Sequence, residues 1–255
     1  MLFDIVIPLG PNERNKIHQQ VEYTKKNVIG YRNIYIVTNN YDNLQVENCK
    51  IIDETLFPFK MSDIAHYFAQ YNGKKNKNGW YFQQLLKLYS SFVIDDLLDN
   101  YLVIDADVFF LKPVHFSEEN KFLFTISRED HQPYFKHLKR LHPSLDRQIN
   151  VSGVSHHMFF NKQILQELFN LVETYHGNGK QFWNIFIECV DEHRNHDVNY
   201  LESGASEYEL YFNYMLLNHE DKIIVRELNW RNTNNSYNIE QNINGYDYIS
   251  ICWYL

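Results

Sequence analysis

Tyr101–Val114 reads YLVIDADVFFLKPV. An apolar run from Tyr101 to Ile104 ends in Asp105-Ala106-Asp107, and a second run, Val108 to Leu111, follows at once and stops at Pro113. Short apolar runs bounded by polar residues read as buried strands. Two carboxylates one residue apart at the mouth of a buried strand are costly unless something pairs with them. In an extended chain both would point to one face, because strand side chains repeat every second residue. Hard oxygen ligands converging on one point suit a divalent cation such as Mg2+ or Mn2+. A plain Asp-rich turn at a strand end is the alternative.

Strands of the same buried kind lie upstream. Phe3–Pro8 is closed by Leu9-Gly10-Pro11, and Asn33–Val37 is followed by Thr38-Asn39. Lys50-Ile51-Ile52 is a short third candidate, and Asn15–Asn27, with Ile17 and Val21 on one side, is helix-compatible. Alternating strands and helices predict an α/β fold, and loops after parallel strands line ligand sites in such sheets. Ser62 is placed to cap a helix from Asp63 to Tyr71. Asn72–Gly79, NGKKNKNG, reads as an exposed loop. A helix then spans Gly79–Leu98: Leu85, Tyr89, Phe92 and Val93 form an apolar stripe, while Trp80, Gln83, Gln84 and Lys87 share another face. That second face is either an ordinary solvent stripe or a site offering stacking surface, hydrogen bonds and one positive charge.

Downstream, Lys121–Ser127 is a strand and Tyr134–Leu141 a short helix ended by Pro143. Asn150–Phe160 carries Ser152-Gly153, which permits a close backbone approach. As a strand it would send His156 and His157 to opposite faces. Lys162–Tyr175 is amphipathic and ends at Gly177, and Phe182–Glu192 is helix-compatible. His193-Arg-Asn-His196-Asp197 is metal-like in composition but reads as a polar connection, since no further ligands stand nearby. Ser206 and Glu209 form a Ser-x-x-Glu capping box before the helical run Leu210–Leu217. Glu207 has no such role; at the positive end of a helix dipole it is kept ionised and is the better candidate base. Ile223–Val225 and Tyr246–Ile251 read as late strands, with Asn229–Asn244 between them as loop.

The chain has 255 residues, 44% apolar and 22% charged, which suits one large globular domain or two small ones. A net charge of −8, with Lys74-Lys75-Asn76-Lys77 the sole basic cluster, argues against nucleic acid as partner. An acidic protein that binds an anion needs a cation between them. The three scattered cysteines, Cys49, Cys189 and Cys252, read as thiols in a reducing compartment. The first residues, MLFDIVIPLG, lack a basic start and contain Asp4, so they read as a strand, not a signal peptide. No apolar stretch is long enough for a membrane span. A soluble cytoplasmic protein (host cytoplasm if viral) is expected.

Taken together, the strand ending at Pro8, Gly79-Trp80…Gln83-Gln84…Lys87, Ile104-Asp105-Ala106-Asp107, Ser152–Phe160 and Ser206-Glu207-Tyr208-Glu209 resemble the GT-A glycosyltransferases, among them a group of bacterial and viral glycosyltransferase-like proteins. The resemblance covers roughly residues 3 to 220. It implies a GT-A, Rossmann-like three-layer sandwich with a mixed, mainly parallel sheet, in one domain: about 1–112 a nucleotide-binding half and about 113–255 an acceptor-side half. It further implies a metal-dependent transferase moving a sugar from a nucleotide-diphosphate sugar, a UDP-sugar first among them, to a glycan or protein hydroxyl, with inversion preferred. By the same resemblance Asp107 binds Mn2+ or Mg2+, and Asp105 shares the metal or holds the donor. Pro8, Leu9, Thr38 and Asn39 border the base, and Trp80, Gln83, Gln84, Lys87 and His157 lie toward the donor. Glu207, with Glu209 beside it, is the catalytic carboxylate. Many members supply a late histidine to the metal, and after Asp197 that can only be His219. Two other functions compete: a catalytically silent nucleotide-sugar or glycan-binding domain, and a phosphohydrolase with Asp105 as nucleophile.

Overall fold

Phe3–Pro8 (β1) is buried along its whole length, as an apolar run flanked by parallel neighbours on both sides must be. The computed structural model describes residues 1–39, 41–69, 77–190, 203–234, 239 and 245–252. After β1 come α1 (Ile17–Asn27), β2 (Val28–Ile29), β3 (Tyr31–Thr38), β4 (Cys49–Asp53), α2 (Met61–Ala69), α3 (Asn78–Val93), β5 (Asn100–Ile104) and β6 (Val108–Phe110). The chain continues through β7 (Val114–His115), β8 (Ser117–Glu118), β9 (Lys121–Thr125), α4 (Gln132–Leu141), β10 (His157–Asn161), α5 (Lys162–His176) and α6 (Phe182–Glu188). Last come α7 (Glu207–Asn218), β11 (Ile223–Arg226), β12 (Trp230–Thr233) and β13 (Tyr248–Ile251).

The central sheet runs β10-β5-β1-β3-β4, all parallel except β10. The protein is thus a mixed α/β fold with a mainly parallel central sheet. From β1 the chain moves outward to β3 and β4, then returns to the other side of β1 at β5. The carboxyl ends of β1 and β5 flank this reversal, the place where open α/β sheets open a ligand crevice. Two three-stranded sheets, β11-β9-β8 and β12-β13-β6, build on β5 and β10. Helix α1 is fastened to β6 by buried amides: Gln20 and Asn27 donate to the carbonyls of Val108 and Phe110. The polar exception in β1, Asp4, is buried because it is fully engaged. Arg32 donates to its two oxygens at 3.0 and 2.7 Å, and the N–H groups of Asn33 and Leu98 donate at 3.0 and 2.9 Å.

Local chemistry sets most element ends. Asn161 caps α5 by accepting from the Ile164 N–H, and Gly177, at φ 57°, closes it in the left-handed conformation that lacks a Cβ penalty. Some boundaries differ from the sequence reading. Helix α2 starts at Met61, so Ser62 lies inside its first turn; Asp63 instead accepts from the Lys60 N–H. Helix α3 ends at Val93, five residues early, where Ile94 turns extended. Trp230–Thr233 is a strand and not loop, because pairing with β13 satisfies its backbone. The His193–Asp197 cluster and most of the Asn72–Gly79 tract lie outside the described residues. Among the described residues, no helix is long and apolar enough to cross a membrane.

Helix α4 carries a buried titratable group with a measurable consequence. His137 Nε2 lies 2.8 Å from the Phe186 carbonyl and so carries the proton there, while Nδ1 is buried without a partner among the described residues. Burial pushes its pKa from 6.5 down to about 3. The unfolded chain takes up this proton near pH 6.5, the folded chain only near 3, so the stability is intact above the first value and lost as pH falls toward the second. His157, lowered to about 3 by burial, behaves the same way. Urea unfolding between pH 6.5 and 4.5 is expected to lose up to about 1.4 kcal/mol per pH unit for each histidine. His137→Gln keeps the donor without the titration and should flatten the slope; an unchanged slope would reject the assignment.

Candidate active site at the rim of β5

Strand β5 ends at Ile104, and the next three residues turn instead of extending: the Val108 N–H donates to the Asp105 carbonyl at 3.0 Å. The expectation that an extended Asp-x-Asp aligns both carboxylates is therefore corrected. The turn still brings them together, and a third residue joins. Single ligand atoms from Asp105, Asp107 and His156 lie within 4.8 Å of one another. His156 reaches the rim because its backbone is left-handed, at φ 62°, uncommon for a residue with a side chain. The Asp105 N–H donates to the His156 carbonyl at 2.9 Å, which ties this kink to the Asp turn.

The kink also sends the next residue elsewhere. His157 starts β10, lies buried against Phe110, Phe116 and Tyr248, and shares a 3.0 Å hydrogen bond with the Thr125 hydroxyl. It faces the interior, away from the rim. His219 is equally distant from the cluster in role: it follows the last residue of α7, and its Nε2 lies 2.8 Å from Glu167. Twelve residues of helix put it about 18 Å from the Glu207 end.

Beneath Asp105 lies a buried charge network. Lys87, 2% exposed, sits 2.6 Å from both Asp105 Oδ1 and Glu207 Oε1 and donates to the Tyr208 hydroxyl at 3.1 Å. Tyr208 in turn donates to Asp105 Oδ1 at 2.9 Å, and His156 Nδ1 stands 3.4 Å from Asp105 Oδ2. Burial alone would raise the Asp105 pKa, but Lys87, then His156, outweigh it and hold the carboxyl well below the usual range. Glu207 is raised by burial against the pull of Lys87. Lys87, which burial would lower, is raised by its two carboxylates.

Asp107 is in the opposite condition. Its Oδ1 is buried with no hydrogen-bond partner among the described residues, although Ser250 hydrogen-bonds the carboxylate. Burial raises its pKa, and the charge of Asp105 adds to this while His156 opposes it. Glu13, in the loop after β1, is raised by its own burial and by the charges of Asp107 and Asp105. The sequence signal for Glu13 is the position of its loop after a parallel strand.

The remaining α3 residues hold α7 in place. Gln84 Nε2 and Trp80 Nε1 both donate to the Ala205 carbonyl, at 3.1 and 3.4 Å, and Gln83 is half-buried. This face is packed against the segment before α7, so it is not a solvent stripe. Ser206 caps α7 as the box requires, accepting from the Glu209 N–H at 3.3 Å. Glu209 does not complete the box; its buried carboxylate accepts from the Ser152 hydroxyl and from Asn213. Pro8, Leu9 and Thr38 are buried at the ends of β1 and β3, where the Thr38 hydroxyl donates to the Leu9 carbonyl at 3.1 Å; Asn39 is exposed.

Gly153 lets this loop approach α7. A Cβ there would stand 2.6 Å from Phe212 Cβ and 2.8 Å from its Cγ, atoms close to the backbone that cannot swing aside. Gly153→Ala is expected to cost about 1–3 kcal/mol by overpacking. Equal melting temperatures for variant and wild type would contradict this contact.

The sequence model of a family described as a family of unknown function (DUF6492) matches residues 21–240. The chain belongs to this family. The DUF6492 region contains Lys87, Asp105, Asp107, His156 and Glu207, and leaves β1 and β13 outside. No curated protein matches the chain. A solved structure of mouse xyloside xylosyltransferase 1, in its apo form, is similar at 9% identity and a TM-score of 0.45, covering 98% of this chain and 97% of that one. A likeness at that score carries neither fold nor chemistry from one protein to the other.

Proposed function

We propose that this protein is a metal-dependent glycosyltransferase of the GT-A kind, moving a sugar from a nucleotide-diphosphate sugar to an acceptor hydroxyl. The observation that carries the reading is the buried Oδ1 of Asp107, without a partner among the described residues, gathered with Asp105 and His156 just past the carboxyl end of β5, where the strand order reverses. A desolvated carboxylate oxygen without a donor is costly, and a hard divalent cation would satisfy it. The donor set suits Mn2+ or Mg2+, held by Asp107 and His156 with Asp105 alongside. When bound, such an ion supplies Lewis-acid stabilisation of the charge on a departing diphosphate.

The chain's own residues set the conditions. Lys87 and Tyr208 keep Asp105 ionised and fixed in direction. Of the residues expected to border a nucleotide base, Asn39 is exposed at the end of β3, while Leu9 and Thr38 are buried beside it. Glu207 is 2% exposed and paired with Lys87, so in this geometry it positions Lys87. A general-base role for Glu207 requires that pair to open.

The test is a thermal-shift screen of UDP, GDP, ADP and CDP with and without Mn2+, followed by a donor-hydrolysis assay with and without chelator. A ligand at a hundred times its Kd stabilises by about 2.7 kcal/mol. Metal-dependent stabilisation by a nucleotide is the expected result; hydrolysis indifferent to chelator removes the metal, and no nucleotide response removes the reading. A catalytically silent binding domain is the second reading, favoured by the ammonium that already neutralises Asp105; nucleotide binding without any donor hydrolysis or transfer would select it. The phosphohydrolase reading loses ground because Lys87, Tyr208 and His156 surround both oxygens of the required nucleophile.

A further inference from the structure

A cavity of about 280 Å3 opens beside the acidic cluster, with Ile126, Ser127, Arg128, Glu227, Leu228 and Trp230 in its walls. One residue joins the two places. The Trp230 ring meets His156 edge-on, centroids 5.2 Å apart at 82°, and His156 Nδ1 is 3.4 Å from Asp105. The central sheet fixes the side on which the cavity lies. β1 and β3 flank β5 on one hand and β10 on the other, and the cavity belongs to the β10 side, where Ser127 bridges Ser152. The nucleotide-bordering loops and this cavity therefore lie on opposite sides of the Asp turn.

We propose that this cavity is the acceptor subsite and takes a single neutral sugar ring, which rests on the transferase reading above. Trp230 supplies a rigid aromatic wall, held by stacking on Tyr248 with centroids 5.3 Å apart at 10°. Its indole N–H has no partner among the described residues, so a donor is left for a ligand oxygen. Arg128 and Glu227 are exposed and make no ion pair among the described residues, one offering donors and the other an acceptor. Ile126 and Leu228 add apolar surface. An apolar face beside a donor and an acceptor matches a pyranose, with C–H groups on its faces and hydroxyls at its edge. One cation balanced by one anion does not select a diphosphate. At about 280 Å3 the space lies at the lower end of the ~300–1,000 Å3 typical of ligand pockets, which suits one ring better than a nucleotide.

The test is saturation-transfer NMR with methyl glycopyranosides of glucose, galactose, mannose and N-acetylglucosamine at ~10 mM, a concentration suited to millimolar affinities. Wild type is expected to bind at least one of them. Trp230→Ala should weaken that binding about tenfold and Glu227→Gln measurably, and in Glu227→Gln, which does not touch His156, the melting shift given by UDP with Mn2+ stays as in wild type. Glu227 is exposed, so E227Q carries the test if W230A does not fold. The proposal is overturned if no glycoside binds wild type, if E227Q and a folded W230A bind as wild type does, or if UDP displaces the glycoside. The UDP and Mn2+ arm is read separately, so failure of the transferase reading is distinguishable from failure of the subsite.

Discussion

Lys87→Met is expected to destabilise the fold by about 3–5 kcal/mol, the scale for removing one partner of a buried ion pair. The side chain is nearly volume-matched, so little of the loss is packing. What remains is Asp105 and Glu207 facing each other in a buried space, with the Tyr208 hydroxyl and His156 as the remaining polar neighbours of Asp105. The pH dependence of the loss identifies its origin. In wild type the Asp105 carboxyl is held low, so its stabilising effect is present above the unfolded-state pKa, near 3.8, and is lost only as pH falls through the folded value. Without Lys87, burial raises the folded value above the unfolded one, and stability then falls as pH rises. The gap between variant and wild type should therefore be wider at pH 7.5 than at pH 5 by urea unfolding. Adding Glu207→Gln to Lys87→Met should recover part of the loss, since the two residues touch and their effects do not add. A loss below about 1 kcal/mol, equal at both pH values, would show that the network carries no buried charge.

The acidic rim was legible because its signals are local. An apolar run closed by Asp-x-Asp needs no knowledge of the rest of the chain, and β1, β3 and β5 announce themselves in the same way. Lys87 and Glu207 were both visible as candidates, on the α3 face and at the start of α7. Their pairing was not, because a contact across 120 residues depends on how α3 and α7 pack. The resemblance points to His157, whereas the left-handed backbone at His156, which no alternation pattern reveals, carries that residue to the rim and leaves His157 facing inward. The resemblance together with chain order points to His219, and the twelve residues of α7 place it about 18 Å from the Glu207 end. Trp230 sits in an Asn-rich tract whose composition reads as loop, because its strand is specified by β13, a distant partner, and not by its own alternation.

Asp107→Asn should move stability and function in opposite directions. The substitution keeps shape and removes charge. In the metal-free protein a neutral amide replaces a buried carboxylate whose Oδ1 has no donor among the described residues. Because burial raises the Asp107 pKa, the wild-type rim loses stability as pH rises through that value, and the amide does not. Without added metal and at pH 7.5, the variant is expected to melt higher than wild type, by about 1 kcal/mol or more. Addition of Mn2+ with the nucleotide should reverse the order, because the amide oxygen is a weaker ligand than the carboxylate it replaces and Asp105 is already engaged by Lys87. Loss of even an outer partner of a metal ligand commonly costs 10–100-fold, so transfer or donor hydrolysis should fall by at least ~100-fold. Both halves are needed: a group retained against stability is the mark of a site kept for its chemistry. If Asp107→Asn lowers the metal-free melting temperature, the orphaned oxygen has a structural partner after all. If the variant keeps the Mn2+-dependent nucleotide shift, the cation, where one binds, is held by other residues.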